Sequence, residues 1–308
     1  MNRTIASTLL LGITSVFGAT VWSQGVSEKP AAAPPAAQRP QFETTKVDGT
    51  DNVYIFRNGN HQAIFVVTKE GVIATDPVAY GKPQGGQQYV EEIKKVSKGA
   101  PIKYLIYSHH HYDHIAGGKA FKDAGATIVA HKNAKKRLTA INDPATPLPD
   151  RYVGDNTTLR LGGTTLELRY LGLNHSDTNL VMRLPREKII FLVDTVPVGS
   201  IPGRGMIDFY PLETEAFIKR LLAMDWERLI PGHPGQPNDR LGTKKDAEDM
   251  LKFYQAASAG IQKLAREGKC WEPAEKEFKL EAYEKWPGYA NGMPFVSRRY
   301  CGLWARGT

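Results

Sequence analysis

Cysteine is almost absent from this chain. There are two, Cys270 and Cys301, in 308 residues. Both lie near the C-terminus, far from the histidines, so neither is read as a metal ligand. An even pair in an exported protein permits a disulfide, with two buried thiols as the alternative. A membrane-spanning run is also lacking. The apolar stretch Ile5 to Val21 is short for a bilayer span, which needs about 20 residues. Arg3 before it, Leu9-Leu10-Leu11 at its heart and the small residues Val21-x-Ser23 after it read instead as a cleaved export signal, residues 1–23, with Ser23-x-Gly25 as a second cleavage choice. No cysteine stands there to carry a lipid anchor. The mature chain is therefore expected in the periplasm or secreted, with no stable membrane anchor. Finally, the formal charge is +8, from 40 basic and 32 acidic residues, yet no Lys/Arg block is interleaved with aromatics. Nucleic acid is thus not an expected partner.

Histidine is scarce too, which makes its placement informative. There are eight, and four fall in Ser108-His109-His110-His111-Tyr112-Asp113-His114. A metal-scavenging surface tract can look like this. However, the apolar run Ile102 to Tyr107 leads straight into the string and reads as a buried strand, which a solvated tract does not need. Alternation along an extended chain puts His109 and His111 on one side and His110 and Tyr112 on the other. Asp113 and His114 come where the strand gives way, and so can serve a second position. One ion cannot easily use four side chains from so short a stretch, but two adjacent ions can.

The remaining pattern is of short strands and helices. After a Pro/Ala-rich linker (24–41), Val53 to Phe56, Ala63 to Thr68 and Val72 to Thr75 suggest an antiparallel meander. Gln87 to Ser97 reads as an amphipathic helix, Lys119 to Ala124 and Asn133 to Ile141 as further helices, and Ala126 to Ala130 as a strand. A second half follows in the same style. Its strands are Thr157 to Leu161, Thr164 to Leu171, Leu180 to Leu184, Ile189 to Val193 and Arg228 to Ile230, with a helix over Leu212 to Met224. Mixed strands and helices in two similar halves suggest a sheet sandwich covered by helices, of class α/β (α+β). The long helical pattern Lys244 to Glu267 opens a C-terminal extension (242–308), whose remainder reads as irregular and aromatic-rich.

Three more candidate ligands each follow a strand: His175 in Asn174-His175-Ser176-Asp177, Asp194 after Ile189 to Val193, and His233 in Pro231-Gly232-His233-Pro234-Gly235. Loops at one edge of a sandwich would bring them together. His61 reads as surface, His110 as structural and His131 as structural or close behind a ligand. Tyr112 faces either the pocket or away from it. The stretch Pro197 to Pro211 follows Asp194, so Tyr112, Met206 and Tyr210 are the candidate substrate-pocket residues. The alternative is a surface loop whose aromatic residues turn inward.

In motif order, from Asp51 to Leu241 and including Asp76 after a strand, the chain resembles the metallo-β-lactamase fold superfamily. The resemblance implies an αββα sandwich over residues 42–241 with its site at one edge. It also implies that His109, His111 and His175 hold one metal, that Asp113, His114 and His233 hold the second, and that Asp194 bridges them. Two zinc ions are expected, though iron or manganese suits the same donors. Such a pair lowers the pKa of a shared water toward about 7 and polarises a carbonyl oxygen. Asp113 would orient the nucleophile or pass on a proton. Antibiotic-hydrolysing members typically carry Cys or Ser where Asp194 stands, whereas glyoxalase II-like and lactonase-like members carry Asp. Thr195-Val196-Pro197 lacks the Tyr that lactonases often place there. The expected function is therefore hydrolysis of a small-molecule ester, thioester, lactone or similar carbonyl. The alternatives are a β-lactamase, an iron-dependent sulfur dioxygenase-type enzyme, and a non-catalytic binding protein.

Overall fold

The computed structural model describes residues 39–308. The expected signal (1–23) and most of the linker lie outside the described residues. Residues 40–308 form one compact unit.

The expected meander is present and is one strand longer than the sequence suggests. β1 (Phe42–Lys46), β2 (Val53–Asn58), β3 (His61–Thr68) and β4 (Gly71–Thr75) pair antiparallel in that order. The β3–β4 turn depends on Gly71. Its φ is +137°, and a Cβ there would lie 2.6 Å from the Pro101 carbonyl oxygen. After α1 (Gly85–Val96) the sheet continues with β5 (Ile102–Ile106), parallel to β4. A single turn, α2 (Tyr112–Ile115), and α3 (Gly118–Asp123) lead to β6 (Thr127–His131). α4 (Ala134–Ile141) leads to the edge strand β7 (Arg151–Val153).

The second sheet has the order β12-β11-β10-β9-β8. It is built from β8 (Asn156–Leu161), β9 (Thr164–Arg169), β10 (Val181–Leu184), β11 (Ile189–Leu192) and β12 (Arg228–Pro231), the last running parallel to β11. Helix α5 (Pro211–Ala223) makes the crossover between β11 and β12.

Period-two alternation decides which face each side chain serves. Ile64, Val66, Ile189 and Phe191 meet between the two sheets. Phe65 turns outward to Tyr89 and Phe121 on α1 and α3. Ile190 and Leu192 turn outward to Phe217 and Leu221 on α5. The result is four layers, helix, sheet, sheet, helix, as expected. Each fully buried side chain of this size contributes about 1.5–3 kcal/mol by leaving water.

The C-terminal helices complete the outer layer. α6 (Lys244–Arg266) starts at a reciprocal capping box between Thr243 and Asp246. The aromatic-rich remainder is more regular than the sequence suggests. It forms α7 (Glu272–Glu277) and the 18-residue α8 (Tyr289–Arg306). Gly292 and Pro294 hide this helix from propensity reasoning, since both weaken a helix interior. Packing overrides them. Met293, Val296 and Tyr300 are buried in one cluster with Met250 and Phe253 of α6, and a disulfide joins Cys270 to Cys301.

α8 also supports the loop that follows β11. Ile201 N–H donates to the Pro287 carbonyl at 3.3 Å, and Arg299 Nε donates to the Phe209 carbonyl. A Cβ at Gly292 would lie 2.8 Å from both Ile201 Cδ1 and the Pro202 carbonyl oxygen, so only glycine permits this approach.

Candidate metal centre

The strand ends converge at one edge of the sandwich. Beyond β5, the Ser108 N–H donates to Asp76 Oδ1 at 2.8 Å, and Ser108 Oγ lies 2.9 Å from His109 Nδ1. With its Nδ1 engaged, His109 presents Nε2 to the site. The chain bends over Ser108 to His110, is extended at His111 and then turns into α2. That single turn sends Asp113 and His114 to a second position. His110 turns toward Thr178, with its N–H and Nδ1 each 3.0 Å from Thr178 Oγ1.

A buried amide network fixes the other two loops. Asn174 Oδ1 accepts from Asn179 Nδ2 at 3.1 Å and from Thr195 Oγ1 at 2.8 Å. Asn179 Nδ2 also donates to the Val193 carbonyl at 2.8 Å. These bonds flank His175 on one side and Asp194 on the other. Asp194 itself takes a left-handed backbone, φ +60°, which Asp tolerates better than bulkier residues.

Two groups of donors meet at Asp194. His109, His111, His175 and Asp194 form one; His61, Asp113, His114 and His233 form the other. A third, His110, His111 and Asp208, shares His111 with the first. Within each group the ligand atoms lie within 4.8 Å of one another. His175 Nε2 is 2.8 Å from His111 Nδ1. Asp194 joins the groups. Its Oδ2 is 3.1 Å from His114 Nε2, 3.4 Å from His175 Nε2 and 3.8 Å from His109 Nε2, and its Oδ1 is 3.1 Å from His233 Nε2. His233 Nδ1 donates to the Asn60 carbonyl at 2.5 Å, which leaves its Nε2 as a free acceptor.

This donor set fits metal ions. His109 Nε2, His114 Nε2 and Asp194 Oδ1 are buried and make no hydrogen bond of good geometry. Buried polar atoms are normally satisfied, and several orphans facing one space are explained by an ion between them. Imidazole and carboxylate donors are those that zinc takes.

Burial and facing charges set the ionisation of the donors among themselves. Burial alone would raise the Asp194 carboxyl, but facing His114 and His233 hold it well below the ordinary range. Burial likewise opposes a charge on His114, and Asp194 outweighs it, lifting His114 to about 9. Burial pushes His109 and His175 down, away from the charged form. Asp113 would also rise on burial, yet the facing imidazoles of His61 and His114 bring it down to about 2. Asp76, fully buried, is raised to about 6.

The seven side chains singled out as ligands from the sequence all reach this edge. His61 does so too, although the sequence gives it only a turn position. It opens β3, and its Nε2 lies 3.5 Å from Asp113 Oδ2. Asp208 was also missed: its Oδ2 is 2.7 Å from His111 Nε2, and no strand end or motif flags it. His131 stays outside the centre, stacked on Tyr170 and 3.3 Å from Asp155.

A cleft of about 1010 Å³ opens over both groups, and Tyr112 lines it. Met206 and Tyr210 do not. Met206 is fully buried with Phe209 in the outer core, and Tyr210 caps α5. Their neighbours Gly205, Ile207 and Asp208 face the cleft instead, because the short 3-10 turn Arg204–Met206, with three residues per turn, puts Met206 and Phe209 on the buried side. Three large apolar side chains on the rim are strongly exposed, Ile207 at 72%, Tyr80 at 64% and Ile141 at 58%. Among the described residues, Arg204 is the one lysine or arginine on the cleft walls.

A family model described as "Metallo-beta-lactamase superfamily" matches residues 57–233. The alpha subunit of 2,4-dinitroanisole O-demethylase from Nocardioides sp. (strain JS1661) is 26% identical over 68% of this chain and 63% of its own length. The type 2 metallo-beta-lactamase of Bacillus cereus is 30% identical over 54% of this chain and 64% of its own. The chain thus spans just under two thirds of either relative. A solved metallo-beta-lactamase from Pontibacter korlensis superposes with a TM-score of 0.61 over 70% of this chain and 99% of that one, at 23% identity.

Proposed function

Because the chain belongs to the metallo-beta-lactamase superfamily, and is a hydrolase of that fold with clustered His/Asp metal ligands, we propose that it is a di-zinc enzyme cleaving a small carbonyl substrate with an apolar body and an anionic group. The cyclic amide of a β-lactam is the first candidate. The observation that carries the two-metal part of this reading is the Asp194 carboxylate, within 3.8 Å of ring nitrogens from both groups. When bound, two such ions supply a water of lowered pKa as nucleophile and polarise the carbonyl oxygen.

The chain's own residues do the rest. His109, His111 and His175 would hold one ion, Asp113, His114 and His233 the other, and Asp194 would serve both. Asp113 lines the cleft, and with its pKa near 2 it stays ionised at neutral pH. That suits a hydrogen-bond acceptor orienting water better than a proton store. Tyr80, Ile141 and Ile207 offer an apolar seat that excludes water. Arg204, which pairs with no carboxylate among the described residues, would meet a substrate carboxylate.

The relatives favour the cyclic amide over the ester, thioester or lactone that Asp194 suggests from sequence. That second reading retains the Asp194 argument, since Asp here belongs with the thioesterase and lactonase patterns. The export reading is supported by the Cys270–Cys301 bridge, which suits an oxidising compartment. Among the described residues no helix is long and apolar enough to cross a membrane.

The test is elemental analysis of the purified protein and its Asp194→Ala variant, with a panel of nitrocefin, an aryl ester, a thioester, a lactone and 2,4-dinitroanisole assayed with and without chelator. About two zinc per chain, reduced in the variant, with chelator-sensitive nitrocefin turnover, is expected. Turnover of the ester or lactone alone would move the assignment to the second reading. One iron per chain, indifferent to Asp194→Ala, would refute both.

A further inference from the structure

We propose that His61 is an additional ligand of the second ion, making it the more firmly held of the two. This rests on the dinuclear reading above. His61 belongs to the donor group with Asp113, His114 and His233. Its ring centroid lies 4.5 Å from that of His233 and 5.3 Å from that of His114. At 3.5 Å the His61–Asp113 contact is too long for a good hydrogen bond. The spacing is that of two donors facing a common point.

The position is also held firmly. His61 pairs with Asn58 across the tight β2–β3 turn. On either side, the hairpin is laced to the loop that carries His233. Gln62 N–H donates to the Gly232 carbonyl at 2.8 Å, and Gln62 Nε2 to the Pro231 carbonyl at 2.7 Å. His233 Nδ1 donates to the Asn60 carbonyl at 2.5 Å. The hairpin therefore presents His61 and orients His233 with one set of bonds. Counting Asp194, the second position has five protein donors and the first has four, His109, His111, His175 and the shared Asp194. The second ion, with one protein donor more, is thus the more tightly retained.

The experiment compares the wild-type chain with His61→Ala and His61→Gln, loaded with zinc and dialysed against graded chelator. Zinc per chain is read by elemental analysis and folding by circular dichroism. The wild type is expected to lose one ion well before the other. In both variants the retained ion should be lost at roughly 10- to 100-fold lower chelator, a size seen when groups supporting a metal are removed. Cobalt-loaded protein supplies a second readout: its visible spectrum should change on His61→Gln. Retention curves and cobalt spectra matching wild type in the variants would overturn the His61 assignment alone. A wild type that binds no metal would take down the dinuclear reading with it.

Discussion

Replacing Cys301 with alanine is expected to cost the fold about 4 kcal/mol. The bridge to Cys270 closes a loop of sequence separation 31. On a chain-entropy model, opening such a loop in the unfolded state is worth about 3.7 kcal/mol at 25 °C. Native packing should transmit the loss to the whole domain instead of freeing α8 alone. Cys301 is fully buried, and Val296 and Tyr300 on the same helix share a core with Met250 of α6 and Phe217 of α5. The assay is urea unfolding, followed by tryptophan fluorescence and by far-ultraviolet circular dichroism. With a slope of about 3 kcal/mol/M, near the upper end of the usual range, the midpoint should fall by about 1 M, and both probes should report the same transition. Reduced, thiol-blocked wild type should behave like the variant. A midpoint shift below about 0.3 M would refute the loop-entropy argument, and non-coincident probes would refute the shared core.

Two further outcomes follow from single residues. Asp246 accepts from Thr243 N–H at 2.8 Å and is paired to Arg240 at 2.6 Å, so Asp246→Ala should destabilise by about 1–2 kcal/mol as a lost cap. Burial opposes its ionisation, but Arg240 and Thr243 hold its folded pKa below the ordinary value. Its contribution is then complete above the unfolded pKa and lost as pH falls through the folded one. The thermal-stability gap to wild type should therefore close in acid. A gap independent of pH would contradict the charge argument. Arg204→Ala should raise KM for a carboxylate-bearing substrate by about 10-fold with kcat little changed, as for loss of a charged hydrogen bond of about 1.5 kcal/mol. An equal loss of kcat would place Arg204 in the chemistry instead.

Much of the centre can be read from sequence because each ligand follows a strand. His111, Asp113 and His114 come after β5, Asp194 after β11 and His233 after β12, and topology alone brings those strand ends to one edge. His61 is different. It opens a strand on the meander, and the hydrogen bonds that link Asn60 and Gln62 with residues 231–233 bring it in. Nothing local signals a contact across about 170 residues. Met206 failed for a related reason: composition marks an apolar loop, but a 3-10 turn decides which side chains face the cleft. Helix α8 was obscured by Gly292 and Pro294, whose helix-weakening effect is local, while the packing that outweighs it is not.

The contact between α8 and the loop after β11 has an evolutionary consequence. One wall of the cleft is a loop whose shape is set from behind, by Gly292 against Ile201 and Pro202 and by Arg299 at Phe209. The ligands sit on strand ends that this helix does not build. Reactivity and substrate preference are therefore encoded in different parts of the gene. A lineage can retune what the cleft admits through mutations in α8 while leaving the metal-binding histidines untouched, and selection for a new substrate should find early footholds there.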